Sequence, residues 1–489
     1  MEKWGIRQFQ QAMDAGETTS LQIIEDCLQR IDQLDRGKAG LHAILEDNPD
    51  VLSLAKKLDD ERSQGQVRSP LHGIPIVLKA NIDTADGMTT TAGSLALEGS
   101  TPEKDAFLVS QLRKAGAVIL GKANLSEWAN FRGKRSISGW SSLGGQTHNP
   151  HDPLRSPCGS SSGSAVAVAV DFCPISIGTE TDGSIVCPAQ TCGVVGIKPT
   201  LGLVSRSGII PIAHSQDTAG PMARSVEDAA CLLSIMTGED PSDPSTAMPK
   251  LGCDTDFMRG LTPTALRGAR IGVVRSYFGA HPKIDCLIDS ALDALRDLGA
   301  EVIDPVAIAT DGKWSETEFE VLLYEFKHDL NAYLASLGPS APVRSLAEVI
   351  EFNREHSDQT MPHFGQELME MAQAKGPLTD AAYIDALSAN LRLTREEGID
   401  ATLQADSLDA LVAPTGGPAW LIDRILGDVW VGGRCSSAPA VAGYPHITVP
   451  AGFADGLPIG LSFFSTAWQD AKLIRYAYAF EQAIAQEIG

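Results

Sequence analysis

The sequence is poor in basic residues, has no ordered pattern of cysteines and contains no long apolar run. Lysine and arginine total 39 against 62 aspartates and glutamates, a formal charge of −23. A surface that acidic repels phosphate backbones and anionic lipid, so neither nucleic acid nor a membrane is an expected partner. No run of about 18 apolar residues occurs, so no transmembrane helix is expected. The opening "MEKWGIRQFQQAMDAGETTS" lacks the apolar stretch of a signal peptide. Nine cysteines are scattered from Cys27 to Cys435, and the spacings of Cys158, Cys173, Cys187 and Cys192 give no CxxC pair. Neither a zinc site nor a disulfide framework follows from that spacing. Reduced thiols in a reducing compartment are the simplest reading, and the expected location is cytoplasmic.

What is present is ordinary globular material: 43% hydrophobic and 21% charged residues over 489 positions. Length alone suggests about three domains at roughly 150 residues each. No internal repeat, low-complexity tract or linker-like stretch divides the chain, however, so one large domain is the better expectation. Apolar residues at Leu21, Ile23, Ile24, Cys27, Leu28, Ile31 and Leu34 follow a 3.6-residue period. Thr19 and Gln22 have capping-box spacing at the start of that helix. "GIPIVLKA" (73–80) reads as a buried strand, and "KDAFLVSQLRKAGAVILGK" as a helix stopped at Gly116 followed by a strand over 117–120. Repeated units of this kind predict an α/β fold, with a central mixed, largely parallel sheet covered by helices on both faces.

Between Leu125 and Gly163 the pattern lapses into Ser, Gly, Asn and Pro, and a loop that long in a compact domain is usually functional. "SSGSAVAVAV" (161–170) reads as a tight helix of small residues, followed by the strand "PISIGTE". A strand–helix–strand unit runs from "GARIGVVRS" to "GAEVIDPV". Over 312–406 no strand signal appears; Ser315/Glu318 and Ser345/Glu348 have capping-box spacing, so a helical segment is expected there. The end of the chain reads as a hairpin turning at Asp455-Gly456 and a last helix.

The chemistry concentrates in "SPCGSSSGSAVAVAVDFCPISIGTETDGSIVCPA". A Gly/Ser loop before a helix can cradle phosphate, but a Walker loop ends in Gly-Lys-Ser/Thr, and this one reads Gly163-Ser164-Ala165. A serine nucleophile is the alternative. It needs a base within hydrogen-bond reach, and only His214 stands as near as thirty residues to Ser184. Lysine can serve when burial disfavours its ammonium form. Lys79 closes the apolar run "GIPIVLKA"; on residue type alone an exposed strand end is the commoner situation for a lysine.

The motifs "GIPIVLKANID", "GSSSGSAVAVA", "GTETDGSIVCPA" and "GVVGIKPT", in that order, resemble the amidase signature family. The likeness begins at "TTSLQIIEDCLQRID" and ends in "AVAGYPHITVPAGFADGLPIGL", so it spans nearly the whole chain, 1–489, as one domain. It implies a hydrolase of carboxylic amides that works through a Ser–Ser–Lys triad and an acyl-enzyme, without cofactor or metal. Carried over by motif, Ser184 resembles the nucleophile. Ser160 resembles the bridging serine after a cis peptide bond from Gly159, and Lys79 the neutral base. Backbone N–H groups of Thr181, Asp182, Gly183 and Ser184 resemble the oxyanion hole. The family's Ser-Ile-Arg-x-Pro is here Ser184-Ile185-Val186-Cys187-Pro188, a departure that leaves the triad intact. That departure, with "RSISGWSSLGGQTHNP", "GLVSRSGIIPI" and "SQDTAGPMARS", is similar to the peptide amidase subgroup. A primary amide such as a peptide C-terminal amide is therefore the implied substrate. The alternatives are an anilide hydrolase, a glutamine-hydrolysing amidotransferase subunit, or a non-catalytic binding protein. The 312–406 segment is expected to line the pocket. Oligomeric state is not legible.

Other residues admit plain explanations. His148 and His151 are read as surface residues, since two loop histidines lack a third ligand. Cys187 is read as a buried structural thiol, and Ser161 and Ser162 as loop-holding. Trp128 and Trp140 fit packing or a pocket wall equally. Glu127 and Asp83 fit a cap or ion pair as well as chemistry.

Overall fold

The structure is a computed structural model that describes residues 4–247, 254–338 and 341–488. The strands in chain order are β1 (Ile44–Asp47), β2 (Pro75–Lys79), β3 (Val118–Ala123), β4 (Trp140–Ser141), β5 (Gly145–Gln146), β6 (Ile175–Glu180) and β7 (Val195–Lys198). There follow β8 (Thr218–Ala223), β9 (Arg270–Val274), β10 (Glu301–Val306), β11 (Ala410–Pro414), β12 (His446–Ala454) and β13 (Leu457–Phe464). Eleven of them form one sheet in the order β1-β3-β2-β6-β8-β7-β12-β13-β11-β9-β10, and β4-β5 is a separate ribbon. One sheet thus takes strands from both ends of the chain.

The sheet is mixed, as expected, but parallel pairing is confined to β3-β2-β6 and β11-β9-β10. The middle, from β6 through β8, β7, β12 and β13 to β11, is antiparallel throughout. This corrects the largely parallel expectation. The β12–β13 hairpin and the reversal into β8 supply neighbours running the opposite way, where helical crossovers would have made parallel ones. Every residue of β2, β3, β6, β8, β11 and β13 is buried. Side chains alternate between the faces of a strand, so burial at every position means that both faces are covered.

Local chemistry sets most element ends. Thr19 Oγ1 accepts from Gln22 N while the Gln22 side chain accepts from Thr19 N, which starts the helix Ser20–Leu34. Gly116, at φ 84°, closes Phe107–Ala115 in the left-handed conformation that glycine adopts without cost. Ser345 Oγ accepts from Glu348 N. The Ser315/Glu318 pair is different: Ser315 lies inside the helix Ser315–Ser336 and donates to Gly312 O, and no side chain caps that helix. Glu318 is recruited elsewhere. The described part of 312–406 is free of strands, as the sequence implies.

The helix Ser162–Ala169 is buried at every small side chain from Ser162 to Val168. Its first turn presses on β6, where a Cβ at Gly178 would sit 2.7 Å from Ser161 Oγ, so glycine permits that approach.

Candidate active site

Lys79 is the last residue of β2, which lies parallel to β6 with Leu78 opposite Ile177. That register brings the C-terminal ends of the two strands together, the edge where open α/β sheets place their ligands. Lys79 Nζ lies 2.8 Å from Thr179 Oγ1, 3.1 Å from Thr179 O and 2.8 Å from Ser160 Oγ. Asn81 Nδ2 also donates to Thr179 Oγ1, at 3.0 Å. Lys79 and Ser160 are both fully buried. The exposed reading of Lys79 is thereby overturned: its strand is internal, flanked by β3 and β6. Burial pushes the Lys79 amine down to about 7, against the pull of Asp217 and Glu180.

The peptide bond from Gly159 to Ser160 is cis. Ser161 N donates to Ser184 O at 3.2 Å, so the segment after Ser160 is stitched to Ser184 itself. Ser184 is 8% exposed, the most accessible of the three. Glu180, at the end of β6, spans the turn that carries Ser184: its Oε2 accepts from Ile185 N at 2.7 Å and Val186 N at 3.1 Å. Burial raises the pKa of Glu180, opposed by the nearby Lys198. Among the described residues, the N–H groups of Asp182, Gly183 and Ser184 donate to no other group of the chain. Gly183 is at φ 77°, and a Cβ there would lie 3.0 Å from Ser436 Oγ.

Side chains around the turn hold it from outside. Thr181 Oγ1 donates to Asp217 Oδ1 at 2.5 Å, and Asp217 Oδ2 accepts from Ile212 N and Ala213 N. Ser436 Oγ donates to Asp182 Oδ1 at 2.6 Å. Gln216 Nε2 reaches both Thr181 O, at 3.2 Å, and Glu318 Oε1, at 3.1 Å. Burial, then the charge of Asp182, push Glu318 up to about 8. Asn81 and Thr179 also line a cavity of about 440 Å³ with Thr181, Asp217 and, from the helical segment, Asp329 and Tyr333.

Sequence reasoning missed Thr179, Asn81, Glu180, Asp217, Glu318 and Ser436. Thr179 and Glu180 stand inside the quoted motif, where position beside Ser184 was an available signal. Glu318 and Ser436 carry no local signal at all.

The cysteine reading is corrected. Cys158 and Cys187 form a disulfide, with Cα atoms 6.0 Å apart. They are 29 positions apart and meet only because the Ser160 and Ser184 segments meet, which no spacing rule detects. Cys187 is therefore not a free thiol, and the cysteines no longer argue for a reducing compartment. Cys27, Cys173, Cys192, Cys231, Cys286 and Cys435 are free; Cys253 lies outside the described residues. No helix among the described residues is long and apolar enough to cross a membrane.

The plain readings fare well. Glu127 pairs with Arg132 at 2.7 Å, both fully buried, and Asp83 accepts from Tyr333 Oη at 2.8 Å. Trp128 sits in an apolar cluster, and Trp140 packs edge-on against Phe364. Ser161 Oγ and Ser162 Oγ donate to Thr179 O and Cys158 O. His148 Nδ1 and His151 Nε2 contact the carbonyls of Pro153 and Cys192. His214, Glu325 and Asp329 gather their ligand-type atoms within 4.8 Å. They are engaged with one another, His214 Nδ1 to Asp329 at 2.8 Å and Nε2 to Glu325 at 3.3 Å, as an ion-pair network.

Residues 22–474 match the family described as Amidase. The native peptide amidase of Stenotrophomonas maltophilia is 54% identical in sequence and superposes with a TM-score of 0.94, covering 98% of this chain and 97% of that one. A probable amidase of Arabidopsis thaliana is 40% identical over 98% of this chain and 89% of its own length. One subunit of the glutamyl-tRNA(Gln) amidotransferase of Chloroflexus aurantiacus is 36% identical over 97% of this chain and 95% of its own length.

Proposed function

The chain belongs to the amidase signature family and is an amidase, a hydrolase of carbon–nitrogen bonds; from that premise we propose that it cleaves primary amides, C-terminal peptide amides first among them, through Ser184, Ser160 and Lys79. The observation that carries the chemistry is the hydrogen bond between Lys79 and Ser160 at 2.8 Å, made by an amine that burial holds near neutrality. An unprotonated lysine at neutral pH is a base, and Ser160 is the group through which it acts.

In the reaction so read, the Ser184 hydroxyl proton passes to Ser160 while the Ser160 proton passes to Lys79 Nζ. Ser184 Oγ attacks the amide carbonyl carbon, and the carbonyl oxygen takes up negative charge. The N–H groups of the Thr181–Ser184 turn receive that charge; those of Asp182, Gly183 and Ser184 meet no acceptor among the described residues. A donor of this kind is worth about 3–4 kcal/mol in the transition state. Collapse breaks the C–N bond, and the amine leaves with a proton returned through Ser160, which produces ammonia from a primary amide. Water then attacks the acyl-enzyme, gives its proton to the same relay and releases the carboxylic acid with Ser184 restored. The helical segment 312–406 is read as a pocket wall, since Glu318 reaches Gln216 beside Thr181 and Asp329 and Tyr333 line the adjoining cavity.

Likeness to the peptide amidase at 54% identity favours the primary-amide reading over an amidotransferase role, for which the relative named above stands at 36%. A pocket shaped for ammonia departure excludes an aniline by steric clash. The test compares kcat/KM for an N-acyl amino-acid amide and for the matching anilide. Preference for the amide is expected; a tenfold preference for the anilide, about 1.4 kcal/mol, overturns the substrate reading.

A further inference from the structure

The Cys158–Cys187 disulfide lies where the two serines of the relay are brought together. Cys158 is two residues before Ser160, and Cys187 is three after Ser184, in the first turn of the helix Val186–Cys192. Hydrogen bonds also span these segments: Ser161 Oγ donates to Thr179 O at 3.0 Å and accepts from Thr179 N at 3.1 Å, and Cys192 Sγ lies 3.8 Å from Pro157 O. Ser161 N donates to Ser184 O at 3.2 Å, and Thr191 Oγ1 donates to Pro157 O at 2.6 Å. Each segment is well tied on its own side. Ser162 Oγ donates to Cys158 O at 2.6 Å and Cys158 N to Ser156 Oγ at 3.1 Å, while Glu180 holds Ile185 and Val186. The covalent bridge joins two locally tied units and adds to these hydrogen bonds a fixed limit on the distance between Cys158 and Cys187. Proton transfer between two hydroxyls is sensitive to their separation, because misplacement by about 1 Å can cost a factor of about a hundred.

We propose that the Cys158–Cys187 disulfide is a positioning element of the active site, keeping Ser160 in proton relay with Ser184, so that reduction by a dithiol lowers kcat in a chain that remains folded. The inference rests on the catalytic reading of Ser160 and Ser184. The loop that the bridge closes contains β6 and the helix Ser162–Ala169, and both are held by contacts of their own: β6 pairs with β2 and β8, and Ala165, Val166, Ala167 and Val168 lie in the main core. Cys187 is half-buried and Cys158 is buried, so Cys187 is the half of the bridge nearer solvent. A dithiol thiolate attacks one sulfur to give a mixed disulfide, and its second thiol displaces the protein sulfur. The bridge gains two electrons and two protons as two thiols, and the dithiol ends as a cyclic disulfide.

The experiment begins with a non-reduced digest, in which mass spectrometry is expected to find the peptides of Cys158 and Cys187 joined. Dithiothreitol is then added to the native enzyme, with thiol titration, circular dichroism and kinetics on a primary amide followed together. Two new thiols per chain are expected, with unchanged dichroism, kcat lowered at least tenfold and KM held within threefold. Fluorophosphonate labelling of Ser184 slows in proportion, and reoxidation restores both. Cys187→Ser reproduces the low kcat and no longer responds to dithiol, whereas Cys286→Ser, at an exposed free cysteine, keeps the response. The proposal is overturned if the linked peptides are absent, if two thiols appear while kcat stays within twofold, or if activity falls only as dichroism is lost. Labelling at Ser184 in the oxidised enzyme reports the catalytic reading separately, so a failure of that reading is not mistaken for a failure of this one.

Discussion

Thr179 occupies two of the three hydrogen-bonding directions of Lys79: its carbonyl oxygen is 3.1 Å and its Oγ1 2.8 Å from Nζ, which leaves the third for Ser160 Oγ at 2.8 Å. A neutral amine has two N–H groups and one lone pair. Thr179 O can only accept, and Thr179 Oγ1 takes the second hydrogen, so the lone pair is turned toward the Ser160 hydroxyl. Thr179→Val removes one of the two anchors while keeping the volume. Leaving that buried N–H unsatisfied costs about 1–3 kcal/mol, and kcat/KM is expected to fall by roughly one to two orders of magnitude. Thr179→Ser should recover most of the loss. A valine variant within twofold of wild type would sink this orienting role.

On the proposed relay, the acid limb of the pH profile is expected from Lys79. Burial holds its amine at about 7, far below the ordinary value of 10.5. On that reading the active form is unprotonated, so kcat/KM should reach its maximum between about pH 7 and 8 and drop about tenfold for each pH unit below neutrality. Lys79→Arg should be close to inactive at every pH, because guanidinium does not deprotonate. An arginine variant that keeps most of its kcat/KM excludes Lys79 as base. Added chelator should leave the profile unmoved.

An alkaline limb is expected from Glu318. Burial first, and the charge of Asp182 second, hold its carboxyl protonated up to about 8. Above that pH a new negative charge appears beside Asp182 and the turn that is to receive the oxyanion, so kcat/KM should decline. Glu318→Gln imitates the protonated form. It should match wild type within a few-fold at about pH 7 and lose the alkaline decline, as a pair of pH profiles would reveal. Persistence of the same decline in the glutamine variant assigns it to another group.

Ser184→Ala should abolish nearly all hydrolysis and leave the melting temperature almost unchanged, since the residue supplies a nucleophile rather than core volume. A fluorophosphonate should label Ser184 in the wild type. Undiminished labelling in the alanine variant would remove Ser184 from the reaction.

Much of the architecture was legible because it is written in short-range chemistry. The Thr19/Gln22 cap, the left-handed Gly116 and the Asp455-Gly456 turn each depend on neighbours within a few residues, and each is found where its motif stands. The cap expected at Ser315/Glu318 failed for a long-range reason. Glu318 Oε1 accepts from Gln216, 102 positions away, and that contact outweighs a local one. Parallel pairing was overestimated because helix–strand repetition reports crossovers, whereas the direction of β7, β8 and β12 is settled by which strands they meet.

The sequence by itself determined the element pattern, the acidic surface and the motif order that marks an amidase, all properties of residue type and spacing. Only the tertiary structure decided that Lys79 is buried, that Thr179 meets it from 100 positions away, and that Cys158 and Cys187 are joined. The reason is physical. Burial and proximity depend on which strands become neighbours, and β2 is enclosed only once β3 and β6 have paired on either side of it. A lysine at a strand end is a surface charge or a neutral base according to that pairing, and no property of the residues beside it in the chain distinguishes the two.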